Sequence, residues 1–180
     1  GFTSIMYDGS KLELNENIDK TATIVELGHK AGISVEGEIG FVGYSQGKES
    51  LKTNPNEAKK FADETRCDAM AISVGNTHLQ LDKNTNVDIQ DIVAVQNLTD
   101  TALVLHGGSG IDLLLRAKIA RETNVCKFNI GTELRKTFGD SLRFSLKNNP
   151  ETYDKIQLLD STANDIKKAT KIVIENLSKV

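Results

Sequence analysis

Short apolar runs rich in β-branched residues recur along the chain at roughly regular spacing. Gly, Ser, Asn or Asp closely follows each run, and the segments between the runs carry apolar residues at helical period. The runs predict five β-strands, at Phe2 to Tyr7, Ile33 to Glu38, Ala69 to Val74, Ala102 to Leu105 and Val125 to Ile130. The pattern therefore predicts a chain in which strands and helices alternate.

Helix start signals lie between the predicted strands. Asn54 is placed to cap a helix, with Pro55 at the first helical position and Glu57 three residues past the cap. Asp112 and Thr132 are predicted to be further caps. A stripe of Leu and Phe after Thr132 predicts a long fifth helix, and residues 151–180 predict two more helices.

Apolar strands that alternate with helices predict a parallel sheet covered by helices, the α/β class. Two architectures fit: a doubly wound open sheet of five strands, and a (β/α)8 TIM barrel of about 250 residues. The chain begins in an apolar strand without an initiator Met, cap or turn, which favours the barrel. Residues 1–180 are then expected to form one domain, the last five strand-helix units plus C-terminal helices.

Composition narrows the choice of partners and compartment. The 22 basic and 25 acidic residues are interspersed and give a net charge of −3, so no single-sign field attracts nucleic acid or an anionic membrane. No apolar run approaches the roughly 18 residues of a membrane span. Cys67 and Cys126 lack the pattern of a zinc knuckle or a disulfide scaffold, so reduced, buried thiols are expected. We therefore expect a cytoplasmic protein.

Polar residues collect after the predicted strands, where α/β proteins place their functional groups. Two of the three histidines, His78 and His106, end strands among carboxylates, which favours metal binding over a purely structural role. His29 lies in a helical pattern and is expected to be structural. The other candidates in this polar ring are Asp8, Glu36, Glu38, Asn76 and the segments 107–110 and 129–132.

Glu36 and Glu38 alternate with Val35 and Gly37 in an otherwise apolar strand. Both carboxylates therefore face one side of the sheet, which in a barrel is the interior. A buried carboxylate requires a partner, and a metal ion is one such partner. The alternative is that both side chains are solvated and that Asp8 is only a turn residue.

Two glycine-containing turns lead from a strand into a helix. After His106, the turn Gly107-Gly108-Ser109-Gly110 would point backbone N–H groups toward a bound anion, and phosphate suits that geometry. The spacing differs from the G-x-G-x-x-G dinucleotide fingerprint. The segment Asn129-Ile130-Gly131-Thr132 opens the next helix on the same face and is also expected to hold phosphate. A tight turn without a ligand, and Thr132 as a simple cap, are the alternatives.

Five motifs, in chain order between Gly1 and about Leu146, resemble those of the class II, zinc-dependent ketose-bisphosphate aldolases, the group of the fructose- and tagatose-bisphosphate aldolases. Together they make a specific signal that no single one of them provides. They are Tyr7-Asp8-Gly9-Ser10, Val35-Glu36-Gly37-Glu38-Ile39-Gly40, Gly75-Asn76-Thr77-His78, Leu105-His106-Gly107-Gly108-Ser109-Gly110 and Asn129-Ile130-Gly131-Thr132-Glu133-Leu134-Arg135.

The resemblance implies a barrel that reversibly cleaves a ketose 1,6-bisphosphate to dihydroxyacetone phosphate and an aldehyde. It implies Zn²⁺ as the electrophile that stabilises the enediolate, with a second divalent or monovalent cation. By motif, His78 and His106 would be two of three zinc ligands. Asp8 and Glu38 would belong to a second-metal or alternative zinc position, and Glu36 would be a supporting carboxylate.

The resemblance also assigns the substrate contacts and the assembly. The phosphate and dihydroxyacetone groups would bind Gly107, Gly108 and Ser109 in one loop, and Asn129, Ile130, Gly131 and Thr132 in the other. A homo-oligomer, either a dimer or a tetramer, is implied.

Three departures from the family pattern matter. The third zinc histidine and the aspartate that acts as general acid lie on an earlier strand than any in this chain. Leu79 stands where glycine usually follows the second zinc histidine, and Gly131 stands where aspartate is usual. We therefore interpret the chain as the C-terminal portion of a catalytic aldolase, inactive by itself. The alternatives are a non-catalytic aldolase-like subunit and a metal lyase for another phosphosugar.

Overall fold

The computed structural model describes residues 1–43, 50–76 and 87–178, in which strands and helices alternate. Each predicted strand matches an observed one to within two residues at either end, and the two helices predicted after the fifth are present. The elements are β1 (Ser4–Tyr7), α1 (Leu14–Lys30), β2 (Ser34–Ile39), α2 (Pro55–Thr65), β3 (Ala69–Ile72), α3 (Ile89–Gln96), β4 (Ala102–Leu105), α4 (Leu113–Glu122), β5 (Val125–Phe128), α5 (Thr132–Asn148), α6 (Lys155–Asp160) and α7 (Ala163–Leu177).

The five strands form one parallel sheet in the order β1-β2-β3-β4-β5. A doubly wound sheet reverses its strand order at a switch point, and the described strands contain no such reversal. Successive right-handed crossovers that advance in one direction place the helices on one face. The doubly wound alternative is therefore wrong, and the sheet has the barrel type of α/β architecture.

Two of the three helix caps predicted from the sequence are observed. Asn54 Oδ1 accepts the N–H groups of Asn56 and Glu57, and Asp112 caps α4 in the same way. The prediction that Thr132 caps α5 is wrong: the cap position is Gly131, and Thr132 is the first helical residue. Gly131 has no side chain to offer, and Ser109 Oγ from the neighbouring loop takes the place of a cap.

The outer face of the sheet is apolar and packs against the helices. Along one row, Gly37 pairs with Met70, Met70 with Leu103, and Leu103 with Val125. The Phe61 ring of α2 packs over this row, and a Cβ on Gly37 would lie 2.8 Å from it. The core of the described residues therefore lies between the sheet and its helices.

The inner face carries polar residues beside small ones. Its rows run from Glu38 to Ala71, from Ala71 to Val104, and from Val104 to Lys127 on β5. Between the pairs Leu103–Val125 and Val104–Lys127 the register skips Cys126, which is a β-bulge. The bulge re-aims Lys127 so that its side chain shares the inner face with Val104.

The two cysteines and His29 differ in their surroundings. Cys67 is buried as expected, and burial raises the pKa of its thiol. The expectation that Cys126 is buried is wrong, because the bulge on β5 leaves its side chain exposed. His29 Nε2 lies 2.9 Å from Asp68 Oδ2, which also accepts the Val35 N–H, so His29 has the structural contact predicted for it. Within the described residues no helix is both long and apolar enough to cross a membrane.

Candidate active site

His106 follows β4 at its carboxyl end and lies between two carboxylates. Its Nε2 is 3.0 Å from Glu36 Oε1, and its Nδ1 is 3.2 Å from Glu38 Oε2. All three residues are buried: His106 is 5% exposed, Glu36 is 5% exposed and Glu38 is 3% exposed. The prediction that both glutamates face one side is confirmed, and the alternative that they are solvated is wrong.

These charges determine the protonation of the imidazole. Burial alone would lower the pKa of His106, but hydrogen bonds to Glu36 and Glu38, together with their negative charges, raise it to about 9. Burial likewise opposes ionisation of Glu36, yet His106 and Lys127 lower the pKa of its carboxyl group below the usual value. The two carboxylates therefore favour the protonated imidazole, and metal binding at a ring nitrogen would require that nitrogen to lose its proton.

Lys127 completes this charge cluster from the far strand. Its Nζ lies 2.5 Å from Glu36 Oε2, although β2 and β5 are separated by two other strands. In a flat sheet strands three positions apart are about 14 Å from each other. The long lysine side chain and curvature toward the inner face together account for the contact, and that curvature is what a barrel requires.

Two buried amides hold the backbone of the site. Asn76 Nδ2 donates to His106 O at 2.9 Å, and its Oδ1 accepts the Val74 N–H at 2.8 Å. Asn17, on α1, donates from Nδ2 to Glu38 O at 2.9 Å. Asn76 belongs to the polar ring predicted from the sequence. Asn17 was missed because it lies within a helical segment, where asparagine gives no signal of its own.

The two predicted phosphate loops lie side by side. Gly107 has φ 65°, which a residue with a side chain rarely adopts. The Gly108 N–H donates to Asn129 O at 3.1 Å, and the Asn129 N–H donates to Leu105 O at 2.9 Å. A Cβ on Gly108 would lie 2.8 Å from Ile130 Cδ1, so glycine permits this close approach.

Ser109 connects the first loop to the second. Its Oγ accepts the N–H of Gly131 at 3.2 Å and the N–H of Glu133 at 3.3 Å. An oxygen that accepts the first N–H groups of a helix acts as a cap. Ser109 therefore caps α5 from the neighbouring loop, and Thr132 directly follows that capped position.

Of the two remaining predicted metal ligands, Asp8 lies within the described residues and makes local contacts. Asp8 is exposed after β1, and its Oδ1 accepts from the N–H of Ser10 at 3.0 Å and from its hydroxyl at 2.6 Å. This is an Asx turn, the role that the sequence left open as an alternative. His78 lies outside the described residues.

The donor set around His106 fits a metal ion of the zinc type. Imidazole nitrogen and carboxylate oxygen are both zinc ligands, and a histidine that binds zinc donates its other N–H to a carboxylate. Within the described residues no three His, Cys, Asp or Glu side chains converge on one point that could hold a metal. Glu36 and Glu38 contact different nitrogens of the ring, so a metal at one nitrogen would leave the other carboxylate to orient the ring.

A parallel sheet of the barrel type, with a buried histidine-carboxylate centre beside two helix openings at the carboxyl ends of its strands, places the chain in the class of α/β barrel proteins. The family model for class II fructose-bisphosphate aldolase matches residues 1–180, and the chain belongs to that family. The family agrees with the resemblance seen in the five motifs.

Solved structures support the same fold. The YdjI aldolase from Escherichia coli K12 is 29% identical to the chain, with a TM-score of 0.81, covering 99% of this chain and 61% of that one. Fructose-bisphosphate aldolase from Campylobacter jejuni is 24% identical, with a TM-score of 0.80, covering 99% of this chain and 60% of that one. The chain thus spans about three fifths of the length of these aldolases.

Proposed function

We propose that the protein to which this chain belongs is a zinc-dependent aldolase that cleaves a ketose 1,6-bisphosphate of the fructose or tagatose type. The products would be dihydroxyacetone phosphate and an aldehyde. The observation that supports this most is the buried His106 held by Glu36 and Glu38, next to two loops that open helices. A lysine Schiff base is not needed in this proposal.

His106 would bind the metal through one ring nitrogen. Glu38 would lie near the metal, and Glu36 would hold the ring in place through a hydrogen bond, with Lys127 balancing its charge. His78 is the second proposed ligand, and Asp8 is proposed for a second-metal or alternative position. When bound, zinc would polarise the ketone carbonyl and stabilise the negative charge that develops as the carbon–carbon bond breaks.

The two loops would bind the phosphate and dihydroxyacetone groups. Gly107, Gly108 and Ser109 would contribute from one side, and Asn129 to Thr132 from the other. Helix starts attract anions because the helix dipole is positive there, and at α5 this attraction acts although Ser109 Oγ already accepts the N–H groups of Gly131 and Glu133. The general acid and a third zinc histidine are proposed to come from residues outside this chain.

Four further expectations stay predictions. Residues 1–180 are proposed to be the C-terminal part of a single barrel domain. The cytoplasmic location, a homo-oligomeric state and a second cation follow from the sequence interpretation alone.

A cleavage assay at full natural length tests the proposal. The protein would be incubated with fructose and tagatose 1,6-bisphosphate, with zinc and with a chelator, while release of dihydroxyacetone phosphate is followed by a coupled reaction. We expect cleavage that requires the metal and is lost in His106→Asn. His29→Asn is the matched control, since His29 pairs with Asp68 at the outer face, and this variant should keep its activity.

The other outcomes distinguish the alternatives. A protein that binds no zinc and turns over neither substrate would support a non-catalytic aldolase-like subunit. Cleavage of other phosphosugars without release of dihydroxyacetone phosphate would support a different metal lyase. Residues 1–180 alone are expected to be inactive, and efficient cleavage by this segment would contradict the assignment of the general acid outside it.

A further inference from the structure

One buried side chain joins the two proposed phosphate loops to α7. Arg116, on α4, is 0% exposed. Its Nη1 donates to Gly108 O at 3.3 Å and to Glu133 Oε1 at 2.7 Å, and its Nε donates to Asn176 Oδ1 at 2.8 Å. A single guanidinium therefore contacts the loop after β4, the first turn of α5 and the helix α7.

The contact with Gly108 determines how the next peptide group points. In a trans peptide the carbonyl and the following N–H point in opposite directions, and the described chain contains no cis peptide. Because Arg116 holds the Gly108 carbonyl, the Ser109 N–H points away from Arg116. The Gly108 N–H is held as well, by Asn129 O at 3.1 Å, so the loop is fixed on both sides.

Glu133 connects the same guanidinium to the second loop. Its carboxylate accepts from Arg116, and its backbone N–H donates to Ser109 Oγ at 3.3 Å. The start of α5 is thereby fixed relative to both Arg116 and Ser109. A shift of the guanidinium would consequently move both loops relative to each other.

The helix α7 hydrogen-bonds to this network through Asn176. Besides accepting from Arg116, Asn176 donates from Nδ2 to Leu113 O at 2.9 Å, at the start of α4. Val173 is the buried residue of α7 among those described. A cavity of about 170 Å³ lies between α4, α5 and α7, beside Arg116 and Glu133. Since apolar packing is incomplete there, the hydrogen bonds of Asn176 matter for the connection.

A buried guanidinium depends strongly on its few partners. Among the described residues, Arg116 Nη2 is the buried side-chain nitrogen or oxygen that lacks a hydrogen-bond partner. Removing a partner from a buried charge is costly, and the charge moves to recover one. Loss of Asn176 should therefore displace the guanidinium and not simply leave it in place.

We propose that Arg116 is a positioning residue for the substrate phosphate, and that Asn176 on α7 sets its position. Phosphate affinity then depends on how α7 docks. The inference rests on the proposed function, because it assumes that the two loops bind phosphate. Arg116 itself acts through Gly108 and Glu133 and need not touch the substrate.

The test uses the protein at full natural length and three variants. Asn176→Ala removes both hydrogen bonds, whereas Asn176→Asp keeps an oxygen for Arg116. Lys168→Ala is the control on the same helix, since the Lys168 side chain is 77% exposed. The measurements are calorimetric affinity for inorganic phosphate, KM and kcat for the ketose bisphosphate, and hydrogen exchange of the amides in residues 107–111.

We expect Asn176→Ala to weaken phosphate binding and raise KM roughly fivefold or more, the lower range of energetic coupling between sites. The kcat should change little, and the loop amides should exchange faster. Lys168→Ala should behave as the unaltered protein, and Asn176→Asp, which keeps the acceptor for Arg116 but loses the donor to Leu113 O, should be weakened less than Asn176→Ala. Wild-type phosphate affinity in Asn176→Ala, or an Asn176→Asp variant as weak as Asn176→Ala, would overturn the proposal.

Arg116→Lys provides a second measurement in case Asn176→Ala does not fold. A lysine cannot reach three acceptors in a fixed plane, so phosphate affinity should fall again, and unchanged affinity would contradict the inference. An unaltered protein that binds phosphate but cleaves no ketose bisphosphate would contradict the proposed function and leave the phosphate measurements valid. An unaltered protein that binds no phosphate would contradict the inference itself.

Discussion

At the residue scale, the site is a chain of alternating charges. Lys127 contacts Glu36, Glu36 and Glu38 contact His106, and all but Lys127 are nearly inaccessible to solvent. A buried carboxylate is stable only with partners, and Glu36 divides its two oxygens between His106 and Lys127. Lys127 therefore governs how Glu36 holds the imidazole.

Replacing Lys127 by methionine should weaken the proposed metal site. Glu36 would lose the contact at 2.5 Å and would turn toward another donor, so His106 would lose its fixed orientation. Changes to such supporting partners typically cost about 10- to 100-fold in metal affinity or activity. Zinc affinity, measured by competition with a chelator, and the cleavage rate should both fall within that range.

The matched control for this prediction is Lys118→Met. Lys118 is exposed on α4, and its Nζ lies 3.9 Å from Glu122, so its removal should leave zinc affinity unchanged. If Lys127→Met and Lys118→Met bound zinc equally well, Lys127 would have no role in holding Glu36.

The sequence predicted the site residues whose position depends only on strand alternation. Glu36 and Glu38 were placed on one face because alternate residues of a strand point the same way. Lys127 was missed because its orientation depends on the bulge at Cys126, which changes the alternation. Ser109 was predicted to bind phosphate, but its capping of α5 depends on how close two loops lie, which the sequence does not encode locally.

At the element scale, β2 separates an apolar layer from a charged one. Gly37 faces the helices between two inward-facing glutamates, and a Cβ there would meet Phe61 at 2.8 Å and Thr21 at 3.1 Å. The absence of a side chain lets α1 and α2 pack closely on the strand that carries the site.

Substituting Gly37 by alanine should therefore destabilise the protein. The aromatic ring of Phe61 is 0% exposed, so it cannot move aside without disturbing the core, and overpacking of this kind costs about 1–3 kcal/mol. The free energy of unfolding, measured with denaturant, should fall by that amount. Ser34→Ala, at the exposed start of the same strand, should have little effect, and a Gly37→Ala variant as stable as the unaltered protein would mean that α2 adjusts freely.

The boundaries of the strands and helices could be predicted from the sequence, whereas the order of the strands in the sheet could not. Apolar runs and caps such as Asn54 and Asp112 located the strands and helices to within a few residues. The same pattern fitted a doubly wound sheet and a barrel, because local periodicity does not record which strands are neighbours. The observed strand order β1-β2-β3-β4-β5 distinguished the barrel type from the doubly wound sheet.

At the scale of the whole molecule, the sheet brings distant segments to one end. His106 and the two loops follow the carboxyl ends of β4 and β5, and Glu38 lies near the carboxyl end of β2, as expected for the α/β architecture. In the described residues the sheet and its helices bury a core of apolar side chains to which none of the proposed metal ligands belongs. The metal is therefore expected to add to stability and not to be the condition for folding.

Removal of the metal should consequently lower the unfolding temperature of the full-length protein but leave it folded. A ligand that binds only the folded state stabilises it by an amount that grows with concentration, about 2.7 kcal/mol at 100 times its dissociation constant. Scanning calorimetry with zinc and with chelator should show the shift, and circular dichroism should show the same helix content in both.

His106→Asn should abolish the shift in unfolding temperature, while His29→Asn should retain it, because His29 contacts Asp68, between α2 and β3. Loss of helix content on chelation would instead make the metal a structural centre, and an equal zinc shift in both histidine variants would remove His106 from the metal site.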